Sequence, residues 1–372
     1  FTKVAEHWDK GLDQLMAEAA VKALENAGLS TVNTIYVGNM VGEFLQNQSH
    51  LGSIIAEKTG LSGTPAIRVE SAEASGAAAL YAGSMDVLSG KSDAVLVVGG
   101  EKLSDGLPEE VSSAAMSGMR QDYEGFIGAE FYALNALLYR IYQRRYGEDS
   151  GIALFPVISH EHAAGVAHAQ YPFKVTLEKV LASPFIAEPL RRLEVSGIGD
   201  GAAAVVLVGE KLYEKLESPK AEFYIEAATD YVNPFEREDP LRFEALRIAV
   251  LKVLRSAGVE LRDVDFVELH DATSIMAAIS LESTGFARPG EAGKMAQRGE
   301  LNLNGSLPCN TFGGLKARGN PFGATAIYQA AEAYLQLTGQ AGKNQLDSPR
   351  VGMIQSLGGI GGTAFAGILK NV

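Results

Sequence analysis

Apolar residues fall on one helical face from about Gly11 to Ala27, at Leu12, Leu15, Met16, Ala19, Ala20 and Ala23. Gly28 follows, where a left-handed cap closes such a helix. The pattern then predicts a strand at Thr34–Val37, a helical stretch at Gly52–Thr59 and a strand at Ala66–Glu70. Glu73–Leu88 is of a different kind. It is built largely from Ala, Gly, Ser, Leu and Tyr, with only Glu73 and Asp86 charged, which predicts a helix buried on all sides. Ala94–Val98 is an unbroken apolar run, the pattern of a parallel strand covered on both faces.

The same order returns later in the chain. Ala27-Gly28-Leu29 followed by Tyr36-Val37 matches Ala257-Gly258-Val259 followed by Phe266-Val267. Both read as helix, Ala-Gly stop, polar turn and strand. Strands are then expected at Leu307–Asn310 and Val351–Gln355, with a small-residue helix at Pro321–Leu337 between them. The reading is an α/β chain of two duplicated βαβ-rich halves, residues 1–221 and 222–372, with mostly parallel inner sheets. Residues 102–192 lack this rhythm and form an inserted lobe, which contains the aromatic stretch Tyr132–Tyr146. Ala202–Gly209 returns to the sheet as a strand closing the first half.

With 372 residues, 47% of them hydrophobic, the chain has enough apolar material for a large core. A net charge of −13 argues against a nucleic-acid-binding surface. No apolar run is long enough to span a bilayer, and the opening Phe1–Trp8 does not read as a signal peptide. The single cysteine, Cys309, excludes an intrachain disulfide framework and a cysteine-built zinc site. A cytoplasmic location is expected.

Glu73 is the most informative residue. It lies in Glu70-Ser-Ala-Glu73-Ala-Ser-Gly76, between an apolar strand and the nearly uncharged helix. A charge entering a buried helix is costly unless paired or protonated. The helix N-terminus favours its anion and burial favours its neutral acid. Glu73 is therefore either a capping carboxylate or a carboxylate presented to a pocket, placed like a nucleophile elbow. His270 and Asp271 close the strand Asp265–Leu269, at the end where open α/β sheets bind ligands, although turn and cap chemistry explains such a pair equally well.

Two glycine-rich stretches, Asn310–Thr325 and Ser356–Gly362, match no phosphate-loop or dinucleotide pattern. They read either as tight turns or as backbone approaching a ligand. His160, His162 and His168 lack the partners of a metal site and read as polar lobe surface. Cys309, beside Asn310, reads as a packing residue and is the one thiol available to chemistry.

In combination, Glu70-Ser-Ala-Glu-Ala-Ser-Gly76, Gly99-Gly-Glu-Lys102, Gly199-Asp-Gly-Ala-Ala-Ala204, His270-Asp-Ala-Thr273, Asn310-Thr-Phe-Gly-Gly314, Gly319-Asn-Pro-Phe-Gly-Ala324 and Gly358-Gly359 resemble the thiolase superfamily. The resemblance is to its archaeal and sterol-carrier-type branch of acetyl-CoA acetyltransferases. It implies a five-layer α-β-α-β-α fold, a lobe contacting coenzyme A, and at least a dimer. Relatives of this branch work with a small zinc-ribbon/OB-fold protein, so such a partner is expected. Members usually begin with a strand before the helix that starts here near Gly11, so a trimmed start is also expected.

The chemistry implied by the resemblance is altered. Active thiolases carry an acylated cysteine where this chain has Glu73, and a Gly-His-Pro histidine where it has Asn320. Ser356 stands where some members keep a second, proton-transferring cysteine, and His270 keeps the oxyanion-hole position. A carboxylate is a poor thioester nucleophile. Glu73, His270 and Asn320 are the expected catalytic set, with Ser356, Gly358, Asn310 and Cys309 supporting it and an acyl-CoA thioester as ligand. Three functions follow: non-covalent C–C chemistry (retro-aldol cleavage or decarboxylation), a silent acyl-CoA-binding or scaffolding subunit, and, least favoured, conventional acetyl transfer through Cys309.

Overall fold

A computed structural model describes residues 1–148 and 151–371. The first helix, α1 (Leu12–Ala27), ends on Gly28 at φ 69°. Its counterpart in the second half, Glu244–Ala257, ends on Gly258 at φ 66°. Both glycines take the left-handed cap, as the repeated Ala-Gly pair predicts.

After α1 come β1 (Thr34–Gly38), α2 (Leu51–Lys58), β2 (Ala66–Val69), α3 (Ser75–Leu88) and β3 (Ala94–Glu101). The lobe supplies α4 (Pro108–Ala115), α5 (Phe131–Tyr146), α6 (Leu154–Ala163) and a short hairpin of Phe185–Ala187 with Leu190–Arg191. The chain continues through β4 (Gly201–Val208), β5 (Ala221–Thr229), α7 (Glu244–Ala257), β6 (Phe266–Glu268), α8 (Ser274–Thr284), α9 (Thr325–Leu337), β7 (Val351–Gly358) and β8 (Thr363–Asn371).

Two four-stranded sheets result, in the orders β2-β1-β3-β4 and β5-β8-β7-β6. In β3 the side chains divide by alternation. Val95 and Val97 enter the middle core with Ala77, Ala78 and Ile327, whereas Leu96 and Val98 meet Leu15 and Met16 of α1 on the other face. Helices α3 and α9 thus fill the layer between the sheets. Helices α1 and α2 cover the first sheet, and α7 and α8 cover the second. This is the five-layer α-β-α-β-α arrangement.

The middle layer is tight because it is glycine-rich. A Cβ on Gly76 or Gly99 would collide with the carbonyl oxygen of Gly323. Glycine at these positions lets the turn before α9 lie directly against the first sheet.

Three sequence expectations need correction. The second sheet is mainly antiparallel, since β5–β8 and β8–β7 are antiparallel and only β7–β6 is parallel. The tight turn Gly359–Gly362 folds β8 straight back along β7, with Gly359 at φ 57° and Gly361 at φ 75°, and a short turn can join strands only antiparallel. Leu307–Asn310 is no strand: Cys309 makes a lone parallel bridge to Val267, and Pro308 has no N–H to extend it. The helix expected at Glu73–Leu88 begins at Ser75, which leaves Glu73 in the turn ahead of it.

Candidate active site

The turn carrying Glu73 is bent by Ala72, which has φ 50° although it is not a glycine. Such a conformation is costly for a residue with a Cβ. Around it, the Ser71 N–H donates to Ser75 Oγ at 2.9 Å and Ser75 Oγ donates to the Ala72 carbonyl at 2.6 Å. The elbow turns the Glu73 side chain inward, where it is 3% exposed. Its Oε2 accepts the Gly359 N–H at 2.6 Å. Burial raises the carboxyl to about 7, against the pull of backbone N–H donors including Gly359, and the Glu70 charge raises it further. Burial therefore prevails over the helix-start effect, and Glu73 titrates near neutrality.

His270 follows β6, whose end is braced on every side. Gln329 Nε2 donates to the carbonyls of Glu268 and Leu269 at 3.2 and 3.0 Å. Asn310 Oδ1 accepts the Leu269 N–H at 2.6 Å, and Glu268 Oε1 accepts from the N–H and hydroxyl of Thr311. Burial, with help from the Arg318 charge, pushes the His270 imidazole down to about 3, so it is neutral. Its Nδ1 accepts the Leu357 N–H at 3.3 Å. The proton of the neutral ring is thereby assigned to Nε2, which is buried and has no hydrogen-bond partner among the described residues. A buried N–H without a partner is a donor in waiting.

Asn320 completes the group. Its Oδ1 accepts from Thr325 Oγ1 at 2.8 Å, and its Nδ2 donates to Ser196 Oγ at 3.3 Å. Glu73 and Asn320 line one cavity of about 80 Å³ with Ser112, Tyr132 and Ser196, among apolar residues of the lobe and of the turn before α9. His270 is not one of the lining residues: it stands two residues before Ala272, which is, and its Nδ1 binds Leu357, two residues before the Gly359 that binds Glu73. A wider groove of about 700 Å³, lined by Tyr213, Lys220, Leu337 and Pro349, contains none of the expected site residues.

The supporting residues divide. Gly358 lets the two halves touch, because a Cβ there would lie 2.7 Å from the Ser71 carbonyl oxygen. Ser356 is buried in β7 and its Oγ has no partner among the described residues. Asn310 acts as the brace on Leu269. Cys309 lies outside the cavity lining: its Sγ donates to the Leu307 carbonyl at 3.4 Å, and burial, then the charges of Glu268 and Asp271, raises its thiol well above the usual range.

The histidines are not lobe surface, as the sequence led us to expect. His160 Nδ1 meets the Phe173 carbonyl at 2.9 Å, His162 Nδ1 meets those of Cys309 and Asn310, and His168 pairs with buried Glu332. Their imidazoles bind interior carbonyls and a carboxylate, which draws them into the core. Among the described residues no His, Cys, Asp and Glu group is arranged to hold a metal.

Two residues that matter were not singled out from the sequence. Glu101 ends β3 and accepts the N–H groups of Met40, Val41 and Gly323 at 2.9–3.0 Å, fixing the segment that follows Asn320. Its carboxyl is raised to about 7 by burial. A lone acid ending an apolar strand was the available signal. Tyr132, at the start of α5, lines the cavity, but nothing in the aromatic stretch marked it out.

Residues 2–137 match the thiolase N-terminal domain, and residues 227–371 match the thiolase C-terminal domain-like family. Acetyl-CoA acetyltransferase of Methanothermobacter thermautotrophicus is 39% identical over 376 residues, covering 99% of this chain and 97% of that protein. The chain belongs to the thiolase family. Sterol carrier protein 2 of Gallus gallus is 30% identical over 375 residues, covering 96% of this chain and 68% of that protein. Among solved structures, an Ltp2-ChsH2(DUF35) aldolase has a TM-score of 0.86 at 22% identity, covering 100% of this chain and 95% of that one. Acetyl-CoA acetyltransferase from Syntrophomonas wolfei has a TM-score of 0.76 at 20% identity, covering 100% and 96%. At those identities the two structures bear on the thiolase fold alone.

Proposed function

We propose that this thiolase-family protein acts on acyl-CoA thioesters by non-covalent C–C bond chemistry, retro-aldol cleavage or decarboxylation, with no acyl-enzyme. One observation carries the reading: a carboxyl group occupies the elbow and no thiol lines the cavity. Attack by Glu73 on a thioester would give a mixed anhydride, an uphill step. A carboxyl near 7 is instead matched to proton transfer at neutral pH.

In this reading Glu73 is the base. His270 Nε2–H holds the thioester oxygen as the enolate forms, and Asn320 orients the same group. The acyl portion is short, because 80 Å³ is well below the 300–1,000 Å³ of a typical ligand pocket. The solved structure that shares this fold is named as an aldolase with a DUF35 component, and the proposal accords with that name in its cleavage chemistry and in including a small zinc-ribbon/OB-fold partner protein. A homodimer or higher homo-oligomer in the cytoplasm is part of the proposal.

The same small volume favours a second reading, a silent acyl-CoA-binding or scaffolding subunit. Glu73→Gln separates them. In the enzyme reading it abolishes C–C cleavage of the acyl group and leaves acyl-CoA binding in place. An unchanged cleavage rate would reduce Glu73 to a structural acid.

A further inference from the structure

Tyr132 is the phenol of the Glu73 cavity. It enters from the first turn of α5, so the lobe inserted in the first half supplies it. The ring is fixed by an edge-on contact with Phe131 at 5.6 Å between centroids. Its hydroxyl donates to the Ser196 carbonyl at 3.2 Å, and the hydroxyl of the same Ser196 accepts from Asn320 at 3.3 Å. Each lies just beyond its usual range, which reaches about 3.0 Å for O–H···O and about 3.2 Å for N–H···O. Groups that take part in chemistry often sit in such loose bonds before a ligand arrives. Burial holds the phenol protonated, pushed up to about 12, and the nearby Glu73 charge acts the same way. Tyr132 is thus a hydrogen-bond donor and not a base, opposite in role to Glu73 across one small cavity.

We propose that the Tyr132 hydroxyl binds the oxygen on the β-carbon of the acyl group and so selects β-oxygenated acyl thioesters over plain ones. This rests on the acyl-CoA reading of the Glu73 site. In retro-aldol cleavage the Glu73 carboxylate takes the β-hydroxyl proton, and the electron pair of the Cα–Cβ bond moves into the thioester as an enolate held by His270. The C–O group on the β-carbon becomes the carbonyl of the released aldehyde or ketone, bonded to Tyr132, and the Glu73 carboxyl returns the proton to Cα. A site built to bond a substrate oxygen favours the ligand that carries it, because the plain thioester gains no such bond and leaves the Tyr132 hydroxyl on its loose bond to Ser196.

The test is calorimetric binding of 3-hydroxybutyryl-CoA and butyryl-CoA to the intact protein. The wild type prefers the hydroxylated thioester by about tenfold or more, and Tyr132→Phe erases the preference while keeping its affinity for butyryl-CoA. Equal affinities in the wild type, or a preference that survives Tyr132→Phe, overturn the proposal. Loss of both ligands from Tyr132→Phe also overturns it, since Tyr132 would then serve the fold alone. Cleavage of 3-hydroxybutyryl-CoA is followed separately: selective binding without cleavage retains the Tyr132 assignment and removes the catalytic one.

Discussion

The Gly359 N–H lies 2.6 Å from Glu73 Oε2, so the carboxyl of one half is held by the tight turn of the other. Two residues before Gly359, at the end of β7, the Leu357 N–H fixes the tautomer of His270. One short segment therefore sets both the acid and the donor of the site.

Glu73→Gln changes how stability responds to pH. The folded carboxyl titrates near 7, against a reference value of 4.5. A raised carboxyl contributes stability that is complete below 4.5 and is lost as pH rises through 7. The wild type thus loses up to roughly 3 kcal/mol across that window, and the glutamine variant lacks this component. Denaturant titrations of both proteins at pH 4.5 and 8 check it. A constant difference between them would contradict a buried, protonated Glu73.

The pH dependence of activity follows from the same value. As a base Glu73 works ionised, so kcat/KM for C–C cleavage of the acyl group rises with pH and levels off above about 7. His270, pushed down to about 3, adds no inflection between pH 5 and 9. A limb centred near 4.5 would mean that the base is an exposed carboxyl elsewhere.

His270→Ala removes the unpaired Nε2–H donor. By analogy with other oxyanion donors the cleavage rate falls about 10²–10³-fold. The change is expected in kcat more than in KM, because the enolate forms only during reaction. Steady-state kinetics with a short 3-hydroxyacyl-CoA measures it.

Acetyl-CoA leaves no acetyl adduct on the wild-type protein in an intact-mass measurement. Cys309→Ala preserves the cleavage rate and costs about 1 kcal/mol of stability, as expected for a small buried side chain. An adduct located on Cys309 would restore the acetyltransferase alternative.

Glu101→Ala strands three buried N–H groups, those of Met40, Val41 and Gly323. At about 1–3 kcal/mol for each unpaired buried donor, it destabilises by several kcal/mol. Thermal unfolding reads this directly, and a shift of only a degree or two would show that water replaces the carboxylate.

Glu73 and His270 were legible because strand ends and uncharged helices impose local rules: an acid before a buried helix and a histidine after an apolar strand both stand out. Asn320 emerged only through the family resemblance. Tyr132 was hidden, since its role depends on how the lobe packs over the halves, and no periodicity in Tyr132–Tyr146 encodes that. The buried histidines misled for the same reason, because the carbonyls that pair with them come from distant segments. Strand direction in the second sheet was likewise hidden in the turn at Gly359–Gly362, where the glycines suited a tight turn or a ligand loop equally well.

The glycines of the middle layer extend the site's vulnerability well beyond its lining. Gly76 and Gly99 have no room for a methyl group beside Gly323, and Gly323 is three residues from Asn320. An alanine at either position would shift the amide without touching the cavity. Loss-of-function alleles are therefore expected to gather at these interior glycines as densely as around the carboxyl itself, and a mutational scan would report a footprint far larger than the pocket.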